Sequence, residues 1–356
     1  MNHNTPLSPR PLRHLDTTQR RVLTEAQLRD HGVTRAAAAE RCRPGGPWQQ
    51  LLPGVYLLHD GAPSDEERLH ASLMYAGRPP AGGGSPRLIA SVPQQPVDTG
   101  RDARPVTAYG EAMVTGFAAL ALHRFSSAPP LASLAQVDVL VPRTRRLRSQ
   151  GPARILRTHT LPEPQQVLGL PVAPVARALA DAVDTITDAD LVRRLLTEAV
   201  RGGHTEPASI VRELTLARLL ERPHVVDAVD ALLAEGRAVA EDRLYTLVRE
   251  HGIPAPLWNV DLRLPGGPHL GGLDAYWPDQ AVAIELDTRA PRQDEDAMWS
   301  EYARKREILE RLGITVLYIT PKKLREAMEQ QATVVRTALM ASTDRDPASY
   351  VVVLPR

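Results

Sequence analysis

The chain reads GGLDAYW at 271–277, PDQ at 278–280 and AVAIELD at 281–287. The first and third runs have the length of strands, and Pro-Asp is typical of a turn, so this stretch predicts a β-hairpin. Successive side chains of a strand point to opposite faces, so the valine, isoleucine and leucine of the third run share one face. Glu285 and Asp287 share the other, which places two carboxylates on one side of a strand.

These two carboxylates and Asp274 of the paired strand form a candidate metal site. Glu285 and Asp287 would stand about 7 Å apart along the strand, and Asp274 is able to approach both. Like charges repel at this distance, and a divalent cation relieves the repulsion. Ligand sets made only of oxygen suit Mg²⁺ or Mn²⁺ rather than zinc. Such a site generates hydroxide and stabilises a phosphoryl transition state.

The elements around the hairpin predict a mixed sheet flanked by helices. Gly313 ends a long helix and a strand follows at once, so that strand returns beside the others. In chain order we expect a helix at 238–251, strands at 258–264, 271–277 and 281–287, a helix at 294–312, a strand at 314–320 and a helix at 321–341.

Element order and motifs together make residues 237–342 resemble the PD-(D/E)XK nuclease superfamily, in particular the branch of very-short-patch-repair endonucleases. Glu241 matches the first acidic position of that pattern, Asp274 the second and Glu285-Leu286-Asp287 the third. The pieces GIPAP at 252–256 and LGITVL at 312–317 also fit. The resemblance implies a restriction-endonuclease-like sheet and Mg²⁺-dependent hydrolysis of DNA phosphodiesters.

Two departures from the superfamily bear on activity. Asp287 stands where the main pattern has a lysine, and no histidine follows it in the chain, whereas the repair-endonuclease branch has histidines there. A general acid or base of that kind contributes about 10²–10⁴-fold in rate. Lys305 is a candidate replacement, because its helix packs over the sheet in this fold. The alternative places Lys305 on a solvated helix face.

Each acid also has a structural interpretation. Glu241 suits an exposed salt bridge on a helix, and Asp274 and Asp287 suit caps or turns at strand ends. Glu285 is different, because an unpaired carboxylate in a central strand costs several kcal/mol. The sequence therefore leaves two alternatives: a metal site, active or vestigial, and a structural ion pair.

The N-terminal part predicts two helices and a hairpin. Thr24 and Thr34 have the position of N-caps, and Gly32 ends the first helix. A proline separates the two strand-like runs that follow. We therefore expect helices at 25–31 and 35–43 and strands at 48–52 and 54–58.

Helix, helix and hairpin in this order make a winged helix. LRDHGVT at 28–34 and PGVY at 53–56 resemble the N-terminal domain of AbiEi-type antitoxins and related bacterial regulators. The resemblance implies DNA binding, for which the candidate contacts on the second helix are Arg35, Arg41 and Arg43. Protein contact is the alternative, because small winged helices also serve it.

A second basic region lies between predicted strands at 136–141 and 153–160. It has no acid from Val139 to Pro162, which favours a polyanionic partner over a solvated hairpin that binds nothing. The candidate DNA contacts in this predicted basic hairpin are Arg143, Arg145, Arg146 and Arg148, with Arg154 and Arg157 nearby.

Length and composition bound the rest of the interpretation. A chain of 356 residues favours two or three domains, and its net charge of +1 is too small to identify a nucleic-acid partner. The single Cys42 excludes an internal disulfide, and no leader or long apolar run is evident, so we expect a cytoplasmic protein without a membrane partner. The expected parts are a flexible tail at 1–16, the winged helix at 17–62, a middle α/β and helical region at 63–236 with a mobile loop at 78–106, the nuclease-like domain at 237–342 and a tail at 343–356.

The fold class expected from these parts is α/β, or α+β overall. Two functions follow from them. The first is a Mg²⁺-dependent DNA endonuclease, and the second is a non-catalytic transcriptional regulator or antitoxin-like repressor with a degenerate nuclease domain. DNA is the expected partner of both. A homodimer and a toxin or defence-system protein are further partners that the resemblances allow.

Overall fold

The computed structural model describes residues 21–78, 109–288, 295–342 and 351–355, with the backbone alone at 295–302. The expected tail at 1–16 and nearly all of the expected loop at 78–106 lie outside these ranges. The described residues form eleven α-helices and three sheets, which confirms the α/β class. The chain divides into two compact units between Ala182 and Val183, called here the N-terminal unit and the C-terminal unit.

The N-terminal unit begins with a small antiparallel sheet and two short helices. Thr24 and Thr34 cap these helices as expected, each by accepting a hydrogen bond from a backbone N–H of the first turn. The sheet order is β1-β3-β2. The elements are β1 (Val22–Thr24), α1 (Glu25–Asp30), α2 (Arg35–Arg41), β2 (Gln49–Leu52) and β3 (Val55–Leu57).

The next helix, α3 (Asp65–Gly77), has no counterpart among the expected elements. Ser64 caps it, and Glu67 completes a capping box by accepting a hydrogen bond from the Ser64 N–H. Every residue from Leu69 to Ala76 is buried, because α3 packs against strands of the small sheet and of a second sheet. The helix therefore forms the centre of the N-terminal unit.

The second sheet has the order β6-β5-β4-β8-β7, in which β5 and β6 run parallel. The predicted basic hairpin between them is therefore wrong. Parallel neighbours need a connection that returns along the sheet, and residues 143–152 provide it. Leu147 is buried in this loop, and the Tyr75 hydroxyl donates a hydrogen bond to the Arg148 carbonyl at 2.9 Å. The elements are β4 (Met113–Val114), α4 (Gly116–Leu122), β5 (Val137–Pro142), β6 (Ala153–Thr158), β7 (Gln165–Val167), β8 (Leu170–Val172) and α5 (Val175–Val183).

The C-terminal unit opens with α6 (Ala189–Arg201), α7 (Pro207–Leu216) and α8 (Pro223–Glu250). The expected start of a helix at residue 238 is wrong, because α8 is one continuous helix of 28 residues that begins at Pro223 and passes through Gly236. A Cβ at Gly236 would overlap the Pro207 ring. Gly236 therefore lets α7 approach α8 closely and does not end a helix. The expected start of the nuclease-like domain at residue 237 falls inside α8.

The third sheet has the order β12-β11-β10-β9-β13, and only β11 and β12 are parallel. The mixed sheet expected from the sequence is confirmed, and a fifth strand from 352–355 pairs with β9 where a tail was expected. The elements are β9 (Leu257–Arg263), β10 (His269–Trp277), β11 (Val282–Leu286), α9 (Glu295–Arg311), β12 (Thr315–Ile319), α10 (Pro321–Glu326), α11 (Met328–Ala341) and β13 (Val352–Pro355).

Helices cover both faces of this sheet, and the alternation expected along β11 is confirmed. Its valine, isoleucine and leucine join a core with α8 and α11. Ala283 joins a second core that includes Leu309 of α9. Among the described residues no helix has both the length and the apolar character needed to cross a bilayer.

Candidate functional site

The candidate site lies where β10 and β11 separate. Ala275 and Ile284 pair in regular antiparallel register. Beyond this pair, β10 contacts β11 through the Asp274 carboxylate. Asp274 Oδ2 accepts a hydrogen bond of 2.6 Å from the Leu286 N–H. Only 4% of Asp274 is exposed, so its negative charge needs a partner inside the protein.

Arg237 of α8 is that partner, and sequence reasoning missed it. Its Nη2 donates to Asp274 Oδ1 at 2.6 Å, and its Nε donates to Glu241 Oε1 at 2.8 Å. The guanidinium thus bridges two acids from different elements. The spacing of four residues between Arg237 and Glu241 was the signal available in the sequence.

Lys305 of α9 reaches the same end of the sheet. Its Nζ donates to Glu285 Oε2 and to the Gly272 carbonyl, both at 2.8 Å. The side chain is 19% exposed, so Lys305 lies in the site and not on a solvated helix face. This agrees with its candidate role as a basic group beside the carboxylates.

Gly271 gives Lys305 the room to reach Glu285. A Cβ at Gly271 would lie 2.7 Å from Lys305 Cε, and the backbone there has φ of +118°, a region that other residues rarely adopt. The glycines of the GGLD run are therefore part of the site, although the sequence suggested only a strand.

The structure thus places four of the five predicted catalytic residues in two neighbouring sets of contacts, one around Arg237 and one around Lys305. Glu241, Asp274, Glu285 and Lys305 come from α8, β10, β11 and α9 respectively. The carboxylate of the fifth, Asp287, is exposed just beyond β11. Its backbone N–H donates to the Ile319 carbonyl at 3.0 Å.

The predicted metal ligands already have basic partners. Oxygen ligands suit Mg²⁺, but Asp274 pairs with Arg237 and Glu285 pairs with Lys305. Within the ranges that the structure describes, no three acid, histidine or cysteine side chains form a group able to hold a metal ion. A cation at Asp274 and Glu285 would therefore compete with these two bases.

An aromatic pair lies beside the carboxylates. Tyr245 of α8 and Trp258 of β9 have ring centroids 4.3 Å apart, and 39% of Tyr245 is exposed. The next residue of β9, Asn259, has a φ of +48°. Its neighbours Val260 and Trp258 pair with Leu273 and Ala275, so Asn259 lies across from Asp274. Trp258 is half-buried against the core, so Tyr245 is the exposed ring of the pair. Exposed aromatic rings and amides are groups that bind nucleobases.

The predicted DNA contacts of α2 lie at its two ends. Arg35 is 82% exposed at 3.9 Å from Glu25, and Arg43, just after the helix, is 71% exposed at 2.8 Å from Glu40. The Arg41 guanidinium stacks on the Trp48 ring, 4.5 Å from its centroid. Between these arginines α2 exposes small alanines, which allow close approach to a groove.

The arginines of the loop 143–152 have two different environments. Arg145 donates to the carbonyls of Ala76 and Arg78 at the end of α3, and burial lowers its pKa. Arg143, Arg146 and Arg148 are exposed, and Arg143 contacts His159. Arg145 therefore holds the loop onto α3, and the three exposed arginines carry the positive surface of the loop.

A separate buried charge cluster lies in the N-terminal unit. Arg177 pairs with Asp181, which also accepts a hydrogen bond of 2.6 Å from Thr115, and Arg154 lies 3.5 Å from Asp138. Burial raises the pKa of Asp138 to about 6, with Arg154 lowering it and Asp181 raising it further. This cluster is remote in sequence from the carboxylates of β10 and β11.

No protein-family model matches the sequence, and no curated protein matches it. The functional interpretation therefore rests on the residues and their geometry.

Proposed function

We propose that this chain is a DNA-binding protein whose C-terminal unit is a nuclease-like domain that contacts the nucleic-acid backbone. One observation carries the proposal. Four residues selected from sequence as nuclease-like, on four different elements, form two neighbouring sets of ion pairs at the end of β10 and β11, and Asp274 joins the sets through the Leu286 N–H. Charged residues on an ordinary solvated surface have no reason to gather from four elements, whereas those of a functional site do.

The chemistry of these residues suits a phosphate. Lys305 has three N–H donors, of which two go to Glu285 and the Gly272 carbonyl, and the third suits a phosphate oxygen. The Tyr245 ring, which packs with Trp258 on the α8 face of the sheet, offers a separate stacking surface for a base. Groups that hold phosphates and rings that stack on bases are both typical of proteins that bind single-stranded or locally opened nucleic acid.

The N-terminal unit supplies two further contacts in this proposal. The ends of α2 carry Arg35 and Arg43, and the loop 143–152 carries three exposed arginines. Phosphate contacts of this kind give affinity without sequence information. A cytoplasmic location belongs to the same proposal, because DNA of a bacterial cell lies there.

Binding is tested by fluorescence anisotropy of labelled duplex and single-stranded DNA in the presence of EDTA. We expect binding without metal, and weaker binding when Arg35 and Arg43 are both replaced by alanine. The control replaces Arg193 and Arg249, which are equally charged and exposed in the C-terminal unit. If neither DNA binds at low salt, or both double variants lose affinity equally, the proposal fails.

A Mg²⁺- or Mn²⁺-dependent endonuclease is the second candidate, and the contact between Lys305 and Glu285 favours it. The main superfamily pattern places a carboxylate and a lysine on one strand. Here the carboxylate is Glu285 of β11, and the lysine beside it is Lys305 of α9. The described arrangement offers no metal site, so this activity requires the ion pairs to open. Cleavage of labelled DNA with each metal, with Glu285→Gln as the control, tests the candidate. Cutting that survives Glu285→Gln would exclude this centre as its source.

A further inference from the structure

We infer that Arg237 takes the place of a divalent cation between Glu241 and Asp274 and thereby keeps metal out of the carboxylate centre. The inference rests on the proposed nuclease-like character of the C-terminal unit. It explains why acids that match a metal-binding pattern form no metal site in the described residues.

The first step is the geometry of the bridge. Arg237 donates from Nη2 to Asp274 at 2.6 Å and from Nε to Glu241 at 2.8 Å, so one guanidinium contacts acids from β10 and α8. A cation that bridges carboxylates from two elements performs the same electrostatic task as a metal ion. A guanidinium is itself a cation that can contact two carboxylates at once, so the bridge needs no external ion.

The second step is competition for the same oxygen. Oδ2 of Asp274 is held by the Leu286 N–H, which leaves Oδ1, and Arg237 occupies Oδ1. A metal that binds Asp274 through Oδ1 would lie beside the guanidinium, and the two positive charges repel each other. Asp274 is almost fully buried, whereas Arg237 is 38% exposed, so the arginine is the partner able to move into solvent. Arg237 therefore lowers the affinity of the two acids for a metal ion.

The third step separates Arg237 from Lys305. Lys305 contacts Glu285 and the Gly272 carbonyl, not Asp274 or Glu241, so the two bases hold different acids. Replacing Arg237 alone should therefore release one pair of acids while the contact between Lys305 and Glu285 remains.

Mn²⁺ binding to the full chain is the test, measured by calorimetry and by the loss of the free-ion EPR signal. Arg237→Met keeps the apolar stem of the side chain and removes the charge. We expect one Mn²⁺ per chain, bound about tenfold or more tightly than by the unaltered protein, a difference of about 1.4 kcal/mol or more. The Tm of Arg237→Met should be low in EDTA and recover with Mn²⁺, because the metal neutralises Asp274 again.

Two controls keep the test decisive. Arg201→Met removes a different ion pair, the one between Arg201 of α6 and Glu235 of α8. It should not change Mn²⁺ binding. Adding Glu241→Gln to Arg237→Met should abolish the gain. Arg237→Gln, which keeps donors for Asp274, replaces Arg237→Met if the latter does not fold, and the same gain is expected.

An unaltered chain that binds one Mn²⁺ as tightly as the Arg237 variants would overturn the inference, as would an equal gain from Arg201→Met. DNA binding is measured separately in EDTA. A variant that gains Mn²⁺ without any binding of DNA would support the role of Arg237 and contradict the proposed function, so the two failures are distinguishable.

Discussion

At the scale of single residues, the carboxylate centre shows which contacts a sequence can and cannot predict. Alternation along β11 and the match of acids to a pattern were sufficient to select Asp274, Glu285 and Glu241. Lys305 followed from the packing of its helix over the sheet. Arg237 was not predicted, because the base that pairs with the buried Asp274 comes from another element and no pattern around Asp274 indicates it. The path of Lys305 past Gly271 depends on backbone coordinates that no residue pattern specifies.

Gly271→Ala tests that path. The new Cβ meets Lys305 and is held at a positive φ, so we expect a loss of unfolding free energy measured in urea. Gly266→Ala, at φ of +63° and with nothing within 4 Å of its would-be Cβ, gives the cost of a left-handed backbone alone. The stronger backbone strain at φ of +118° is common to Gly271→Ala with and without Lys305→Ala, so the double variant isolates the contact with Lys305. Gly271→Ala should cost about 1–3 kcal/mol more in the unaltered chain than in the Lys305→Ala variant. Equal losses in the two would show that Lys305 does not depend on the glycine.

Asp138 predicts a pH dependence of stability. Its pKa is raised by burial to about 6 in the folded protein, above the unfolded value of 3.8. A group with a raised folded pKa contributes stability that is complete below the unfolded pKa and is lost as the pH rises through the folded pKa. The penalty therefore develops between about pH 4 and pH 6.

Asp138→Asn should remove this penalty, because the amide stays neutral. We expect the variant to be more stable than the unaltered chain by about 1–3 kcal/mol at pH 7.5, and similar to it at pH 4. Thermal melts at both pH values measure the difference. A variant that is destabilised at pH 7.5 would indicate that the contact between Asp138 and Arg154 outweighs the burial of the carboxylate.

At the scale of elements, most helices and strands followed from periodicity and capping, and the failures have distinct causes. The helix α3 was not predicted, although Ser64 and Glu67 form a capping box, because every residue from Leu69 to Ala76 is buried and its face pattern is not amphipathic. Alternation identifies strands but not their direction, so the parallel pairing of β5 and β6 was not accessible. A helix start was expected just after Gly236 of α8, whereas this glycine marks a close approach of two helices.

Gly236→Ala tests this account of α8. Alanine in an exposed helix interior is ordinarily more stable than glycine by about 1 kcal/mol. Here we expect a net loss of unfolding free energy, of about 1–3 kcal/mol, because the new Cβ overlaps Pro207. Adding Pro207→Ala should recover part of the loss in a double-mutant cycle. A simple gain in stability from Gly236→Ala alone would contradict the close approach.

At the scale of the whole molecule, charge is nearly balanced, so any affinity for DNA must come from local surfaces. The loop 143–152 is the clearest of these, since three arginines are exposed there and a fourth anchors it. The N-terminal unit has two sheets and the C-terminal unit has one, and residues 237–342, the expected nuclease-like part, lie within the C-terminal unit. Which parts of the chain join into one unit depends on contacts distant in sequence, and composition does not reveal them.

Replacing Arg143, Arg146 and Arg148 together by alanine tests the loop. The slope of log K against log salt concentration should become shallower by about 2 to 3, since each lost phosphate contact contributes about 0.9 on duplex DNA. The control replaces Arg193, Arg212 and Arg249, which removes the same charge from other exposed positions. A slope that is unchanged, or changed equally by both triple variants, would remove the loop from the DNA-binding surface.

The fit of Lys305 past Gly271 also has an evolutionary consequence. A lineage that gains a side chain at position 271 blocks the lysine, and a lineage that loses the lysine no longer needs the glycine. The two positions should therefore be inherited as a pair, although they lie on different elements. In sequences descended from a common ancestor with this chain, a substitution at one should accompany a substitution at the other, and Glu285 should be released from constraint at the same branch.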